Sequence, residues 1–304
     1  MASISVVFSV YNEEKLLEDA LKSVQFANEI IVVDNSSTDT TAKIAKKYTK
    51  HVYTQKNDPQ KIDLQKNFGF EKATCDWILS LDADERITPE LAEEIKKVIE
   101  EDKGVSGYWI PRENIIFGKV IKHGLWTDDY QLRLFQKGKG KFAKDTVHKP
   151  LHVDGSCAKL AHTFTHINYV SVDQYLHKMI GIYTENEANH KYNDGERVTW
   201  KDAILYPGRD FIKTFFAQRG YLDGVHGLVL SLLQAFYAEI IFIKLWEKQG
   251  YPDAEEKTFL REVVNTLTTI GREMKYWVLS EKIDTTSDPS KKLMYKILRK
   301  RTSK

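Results

Sequence analysis

Residues 78–86 read Ile-Leu-Ser-Leu-Asp-Ala-Asp-Glu-Arg, an apolar run that ends on two carboxylates spaced by one residue. An uninterrupted apolar stretch of this length suits a strand buried on both faces. In an extended segment Asp82 and Asp84 would point to the same side and converge on one hard divalent cation, Mg²⁺ or Mn²⁺, which would in turn hold a diphosphate. A plainer reading is also open: the two acids mark the polar end of a strand before a helix at Thr88-Pro89-Glu90, whose Thr and Pro suit the N-cap and first helical positions.

The first fifty residues favour the ligand reading. Ile4–Val10 is an apolar strand that breaks at Tyr11-Asn12-Glu13-Glu14, and a helix is expected from there to about Phe26. Glu29-Ile-Ile-Val-Val-Asp34 is a second short strand, followed by the polar turn Asn35–Asp39 and a helix over Thr40–Tyr48. This βαβα punctuation predicts an α/β fold with a mostly parallel sheet covered on both faces. Ligands of such sheets bind beyond the carboxyl ends of the strands, where Tyr11, Asp34, Asp82 and Asp84 fall.

Four segments now stand in order: Ser9-Val-Tyr-Asn-Glu-Glu14, Ile31-Val-Val-Asp-Asn-Ser-Ser-Thr-Asp39, Gln65-Lys66-Asn67 and Leu79-Ser-Leu-Asp-Ala-Asp-Glu85. In that order and spacing the chain resembles the inverting glycosyltransferases of family 2, whose fold is GT-A, a Rossmann-like sheet with helices on both faces. Asp128-Asp-Tyr-Gln-Leu-Arg-Leu-Phe135, Val147-His148 and Arg219-Gly-Tyr-Leu-Asp-Gly224 resemble the branch that adds glucose to the inner core of bacterial lipopolysaccharide. The likeness covers roughly residues 3–247, and it implies a catalytic domain over 1–168 followed by a helical region over 169–304.

Residue roles follow from the resemblance position by position. Tyr11 would stack on uracil, with Ser9 and Glu13 in the loop that shapes the nucleoside pocket; without a ligand, Tyr11 reads as an aromatic capping the sheet edge. Asp34 would accept hydrogen bonds from the base or ribose, as a carboxylate suits an N–H donor, or would serve as an N-cap of the next helix. Lys66 would offset diphosphate charge, or be a solvated lysine on an exposed helix. Asp82 and Asp84 would bind ribose and metal, Asp84 the more directly. Haloacid-dehalogenase phosphatases also place Asp-x-Asp after an apolar strand, but the Glu85-Arg86 sequel and the distance from the start of the chain disfavour that chemistry.

An inverting transfer is one displacement, so it needs a carboxylate within reach of the attacking hydroxyl and a cation that steadies the departing UDP. The pair Asp128-Asp129 is the candidate base, with Asp129 favoured because it matches the family's acid before Gln-Leu-Arg-Leu-Phe. Adjacent acids in a loop are also commonly just solvated. Gln131 and Arg133 would line the acceptor or diphosphate side, unless Arg133 pairs with a structural acid. The resemblance offers His148 as a late metal ligand. His162 and His166 would mimic a zinc pair only on a helix, and their alternating surroundings read as strand.

Composition fits this picture. The net charge is +2; residues 1–160 hold 24 basic and 25 acidic side chains, and residues 161–304 hold 21 and 18, so no basic concentration in the first half suggests nucleic acid. Cys75 and Cys157 are too few for a disulfide framework and read as reduced cytoplasmic thiols. No signal peptide is expected ahead of the first strand. From Asp202 onward the chain reads as helical, rich in aromatic and basic residues. Gly227–Leu245 is apolar but interrupted by Gln234, Glu239 and Lys244; a central glutamate is costly in hydrocarbon, so the segment reads as a helix in the membrane interface or packed on neighbours, not one that crosses. The final fourteen residues hold seven basic groups and no acid, a charge that anionic lipid attracts. The combined expectation is a hexosyltransferase moving glucose from a UDP-sugar to a lipid-linked envelope saccharide, using Mn²⁺ or Mg²⁺ at the inner face of the cytoplasmic membrane. A transferase for capsule, glycoprotein or lipid phosphate, or a nucleotide-binding scaffold without catalysis, are the alternatives.

Overall fold

A computed structural model describes residues 2–58, 61–101, 104–127, 129–143, 151–254 and 256–302. They fall into two compact units, the first built from residues 1–115 and 128–168, the second from 116–127 and 169–304.

The first unit begins β1 (Ile4–Val10), α1 (Leu17–Ser23), β2 (Glu29–Asp34), α2 (Thr41–Tyr48), β3 (His51–Thr54), α3 (Ile62–Lys72) and β4 (Trp77–Leu81). It continues through β5 (Glu85–Ile87), α4 (Pro89–Glu100) and β6 (Gly107–Ile116). Strand β7 (Lys119–Ile121) belongs to the second unit, and the first resumes with β8 (Tyr130–Gln136), β9 (Gly140–Lys141), β10 (His152–Val153), β11 (Cys157–Lys159) and β12 (Phe164–Tyr169). The main sheet runs β3-β2-β1-β4-β8-β6-β12-β5, with β11 paired beside β6. Its first four strands are parallel, and β8 enters antiparallel to both β4 and β6. This is a mixed sheet with a parallel core, the arrangement the sequence leads one to expect.

The alternation along β1 decides which helix goes where, because neighbouring residues face opposite sides. Val6, Phe8 and Val10 pack with Leu17 and Leu21 of α1 and with Leu91 and Ile95 of α4. Val7 faces the other way, onto Phe70 of α3 and Phe135 of β8. Helix α3 comes unusually close: a Cβ at Gly69 would stand 2.5 Å from Val7 Cγ1. Thr88 caps α4 as its sequence suggests, its hydroxyl accepting from the Leu91 amide at 3.2 Å, with Pro89 at the first turn. Helix α1 stops at Ser23, short of Phe26, because Asn28 is drawn into the sheet: its amide donates to Ile4 O at 3.1 Å and its side chain accepts from the Ile4 amide at 2.9 Å.

The second unit is helical: α5 (Val172–Lys178), α6 (Thr184–Asn193), α7 (Asp202–Phe211), α8 (Val225–Lys248), α9 (Glu256–Thr285) and α10 (Pro289–Thr302), with π-helical turns at Met179–Tyr183 and Ile212–Ala217. Segment 116–127 groups with it through Asp223, which is 5% exposed and accepts from the amides of Lys122 and His123 at 3.1 and 2.8 Å. The motif Arg219–Gly224 is therefore a joint. Gly220 and Gly227 lie so close that a Cβ on Gly227 would sit 1.7 Å from Gly220 O. Helix α8 buries Leu230, Ile241, Phe242 and Leu245 and leaves Leu228, Leu232, Phe236 and Ile243 exposed. It alone among the described helices is long and apolar enough to cross a bilayer. Its polar interruptions are used locally: Gln234 donates to Asp210 at 2.9 Å, Lys244 meets Glu185 at 2.8 Å, and burial raises the Glu239 carboxyl above its ordinary range. Cys75 and Cys157 are free thiols.

Candidate active site

The loops after β1 and β2 are sewn together. Asn12 and Ser36 adopt left-handed conformations, φ 55° and 62°, a region where asparagine is several-fold enriched. The Asn12 amide donates to Ser37 Oγ at 2.9 Å, the Thr38 amide to Asn12 Oδ1 at 2.8 Å, and the Glu13 amide to Thr41 Oγ1 at 2.7 Å. Ser9 accepts from Asn35 at 2.9 Å, so its hydroxyl also ties the two loops. Asp34 is buried and accepts from the Ser37 amide at 3.1 Å, closing its own turn. It does not cap α2, whose first amide is taken by Asp39 at 2.9 Å. Tyr11 leaves a strand in the middle of the sheet, not at its edge, and its side is 44% exposed.

Gln65, Lys66 and Asn67 send three successive side chains to three destinations. Gln65 donates to Asn35 Oδ1 and Lys56 O, at 3.1 and 3.0 Å. Asn67 makes a reciprocal pair with the Phe142 backbone, both bonds 2.9 Å. Lys66 is only 5% exposed, and its Nζ stands 2.7 Å from Asp82 Oδ1. The solvated-lysine reading therefore fails.

Asp82 and Asp84 do not lie in one extended strand. The chain turns after Leu81, the Glu85 amide donating to Asp82 O at 3.0 Å, and the two carboxylates have different company. Arg133 Nη2 donates to Asp82 Oδ2 at 2.8 Å and to Glu85 at 2.6 Å, while Glu85, fully buried, also accepts from the Asp82 amide at 2.9 Å. Burial alone would raise the Asp82 carboxyl, but Lys66 and Arg133 hold it far below the usual carboxylate range. Burial likewise would lower Arg133, and the carboxylates of Glu85 and Asp82 raise it instead. For Glu85 burial outweighs Arg133, and its carboxyl is raised.

Asp84 is placed differently. Its Oδ1 is buried and has no hydrogen-bond partner among the described residues, and Oδ2 lies 3.4 Å from His166 Nε2. His166 Nδ1 stands 2.8 Å from Asn114 Oδ1, an acceptor, so Nδ1 carries the proton. The other ring nitrogen, Nε2, is left facing the Asp84 carboxylate, whose second oxygen has no partner among the described residues. One imidazole nitrogen beside one carboxylate with an unsatisfied oxygen is a donor set that fits a divalent metal. Asn114 also donates to Asp129 Oδ2 at 3.3 Å. Asp129 accepts from Arg112 Nε and Gln131 Nε2, each at 2.6 Å. Burial would raise the Asp129 carboxyl, but Arg112 chiefly, with Gln131 and Asn114, brings it below its ordinary value. An unbroken path thus links Asp84, His166, Asn114, Asp129 and Arg112.

Among the described residues no three His, Cys, Asp or Glu side chains form a metal-binding group. Asp128 and His148 lie outside the described residues. The sequence reading missed Glu85, His166, Asn114 and Arg112. Only His166 carried a signal, as an inward position in an alternating strand.

The model of glycosyl transferase family 2 matches residues 5–160, more than half of the chain. The chain belongs to this family. Over 252 residues, 81% of this chain and 93% of the other, it is 23% identical to the lipopolysaccharide core biosynthesis glycosyltransferase LpsC of Rhizobium meliloti. It is 28% identical over 262 residues to an uncharacterized glycosyltransferase of Rickettsia typhi, covering 81% and 88% of the two chains. Among solved structures, S. aureus TarS 1–349 in complex with UDP overlaps at TM-score 0.42 and 16% identity, over 84% of this transferase and 94% of that chain.

Proposed function

We propose that this transferase moves a glucosyl unit, with inversion, from a UDP-sugar to a lipid-linked saccharide such as lipopolysaccharide core, at the inner face of the cytoplasmic membrane. The observation that carries the reaction is the path from Asp84 through His166 and Asn114 to Asp129. One asparagine links a candidate metal pair to a candidate base, so both groups belong to one hydrogen-bonded site. The likeness to LpsC supports the acceptor class.

Tyr11 would stack on the base, and Asp34 would accept from its N–H. Asp84 and His166 would hold Mn²⁺ or Mg²⁺, which when bound neutralises charge on the diphosphate. Asp129, kept ionised by Arg112, would take the proton of the attacking hydroxyl. Lys66 and Arg133 would act at one remove, fixing Asp82 and Glu85 so that the turn carrying Asp84 keeps its shape.

The test is a panel of UDP-, GDP- and dTDP-sugars with Mn²⁺, read as released nucleotide, since slow donor hydrolysis needs no acceptor. One UDP-sugar should be turned over, and Asp84→Ala should lower that rate at least ~100-fold, the scale of several kcal/mol expected for a lost metal ligand. Turnover of a GDP- or dTDP-sugar alone would overturn the donor assignment. An active Asp84→Ala would overturn the metal site.

A further inference from the structure

Residues 289–304 hold seven Lys and Arg and no Asp or Glu. Helix α10, formed by most of them, has two distinct sides. Tyr295, Leu298, Arg299 and Thr302, at i, i+3, i+4 and i+7, are half-buried. This side meets α9: Lys282 Nζ lies 5.6 Å from the Tyr295 ring, and Arg299 donates to Ser280 Oγ at 3.1 Å with its guanidinium 5.4 Å over the Tyr276 ring. The opposite side carries Leu293, Lys296, Ile297, Lys300 and Arg301, at i, i+3, i+4, i+7 and i+8, with Met294 beside them. Leu293, Met294 and Ile297 are 61%, 47% and 50% exposed.

An outward face of an ordinary surface helix is polar. Here it is an apolar ridge bordered only by cations. A second copy of the same face would bring like charges together, which opposes association. A neutral protein groove would cover the ridge and strand the cations. An anionic bilayer satisfies both, taking the apolar side chains at the acyl boundary while the long basic side chains reach the headgroups. We propose that α10 docks this transferase on anionic lipid through Leu293, Met294 and Ile297, with Lys296, Lys300 and Arg301 at the headgroups. This builds on the membrane placement proposed above.

The test is co-sedimentation of the full chain with vesicles of phosphatidylcholine alone or mixed with phosphatidylglycerol. The wild type should partition onto the mixed vesicles only, and added salt should release it. Leu293→Gln with Ile297→Gln should weaken that partition at least tenfold. Lys296→Gln, Lys300→Gln and Arg301→Gln should each weaken it roughly fivefold. Nucleotide release should be unchanged in all of these variants, which separates lipid docking from loss of fold. Equal binding to both vesicle types, or variants that bind like the wild type, would overturn the proposal. So would a dimer in sedimentation velocity that Ile297→Gln dissociates. If nucleotide release fails in every protein while vesicle binding follows the expected pattern, the donor reading falls and the docking face stands.

Discussion

In the sheet unit Lys66, Glu85 and Arg133 are each less than a tenth exposed, whereas in the helical unit Leu260, Val264, Leu267 and Leu293 are each more than half exposed. Charge has gone inside in one region and apolar surface has stayed outside in the other. A buried charge is tolerated only with partners, so Lys66, Asp82, Arg133 and Glu85 stand or fall together. An exposed leucine has already forgone its burial, so its removal takes little from the fold. What each side chain contributes to stability is therefore set by where it lies more than by its type.

The largest effect should come from Arg133→Leu, which leaves Glu85 and one oxygen of Asp82 without their cation. Urea unfolding should show a loss of about 3–5 kcal/mol. A near-neutral result would mean that Glu85 is carried protonated, and would break the contrast between the units.

Asp129→Asn should lower kcat at least ~100-fold with stability kept, the ordinary scale for a lost general base. The pH profile sharpens this. A base works only when ionised, so kcat/KM should fall as pH drops through the Asp129 pKa, which Arg112 holds below the usual carboxylate value. Arg112→Met removes the main lowering influence, and the acid limb should move to higher pH. An unmoved limb would assign the titration to another group.

Tyr11→Ala should raise KM for the UDP-sugar roughly tenfold, the loss expected for one base stacked on one ring. Unchanged KM would free Tyr11 from the donor pocket. The smallest effect belongs to Leu260→Ser in α9, which should shift unfolding free energy by no more than about 0.5 kcal/mol. A large loss there would show that the exposed helical surface is covered in the folded protein.

The parallel core was legible because its signals are local. Apolar runs at Ile4–Val10 and Glu29–Asp34, each followed by a polar turn and a helix, and at Trp77–Leu81, followed by a turn and the short β5 before α4, mark strand and crossover within a few dozen residues. The insertion of antiparallel β8 between β4 and β6 was not legible, because nothing in Tyr130–Gln136 names its neighbours. The site divided the same way. Asp82 and Asp84 announce themselves as a pair, yet the turn that separates their roles depends on Glu85, read at first as a polar sequel. His166 reaches Asp84 from β12, and Asn114 reaches both His166 and Asp129 from β6. Such meetings arise from strand order, and a single sequence does not print strand order.

The route of the chain has a consequence for inheritance. The polypeptide leaves the sheet unit after residue 115, returns at 128 and leaves again after 168. A gene fragment ending at 168 would therefore encode Lys122 and His123 without Asp223, and Gly124 without the Gln218 carbonyl that takes its amide at 2.9 Å. Recombination at that point would hand on a sheet with a severed loop. The two units are therefore expected to have descended together, and a chimera that exchanges only the helical half should fold only if residues 116–127 are exchanged with it.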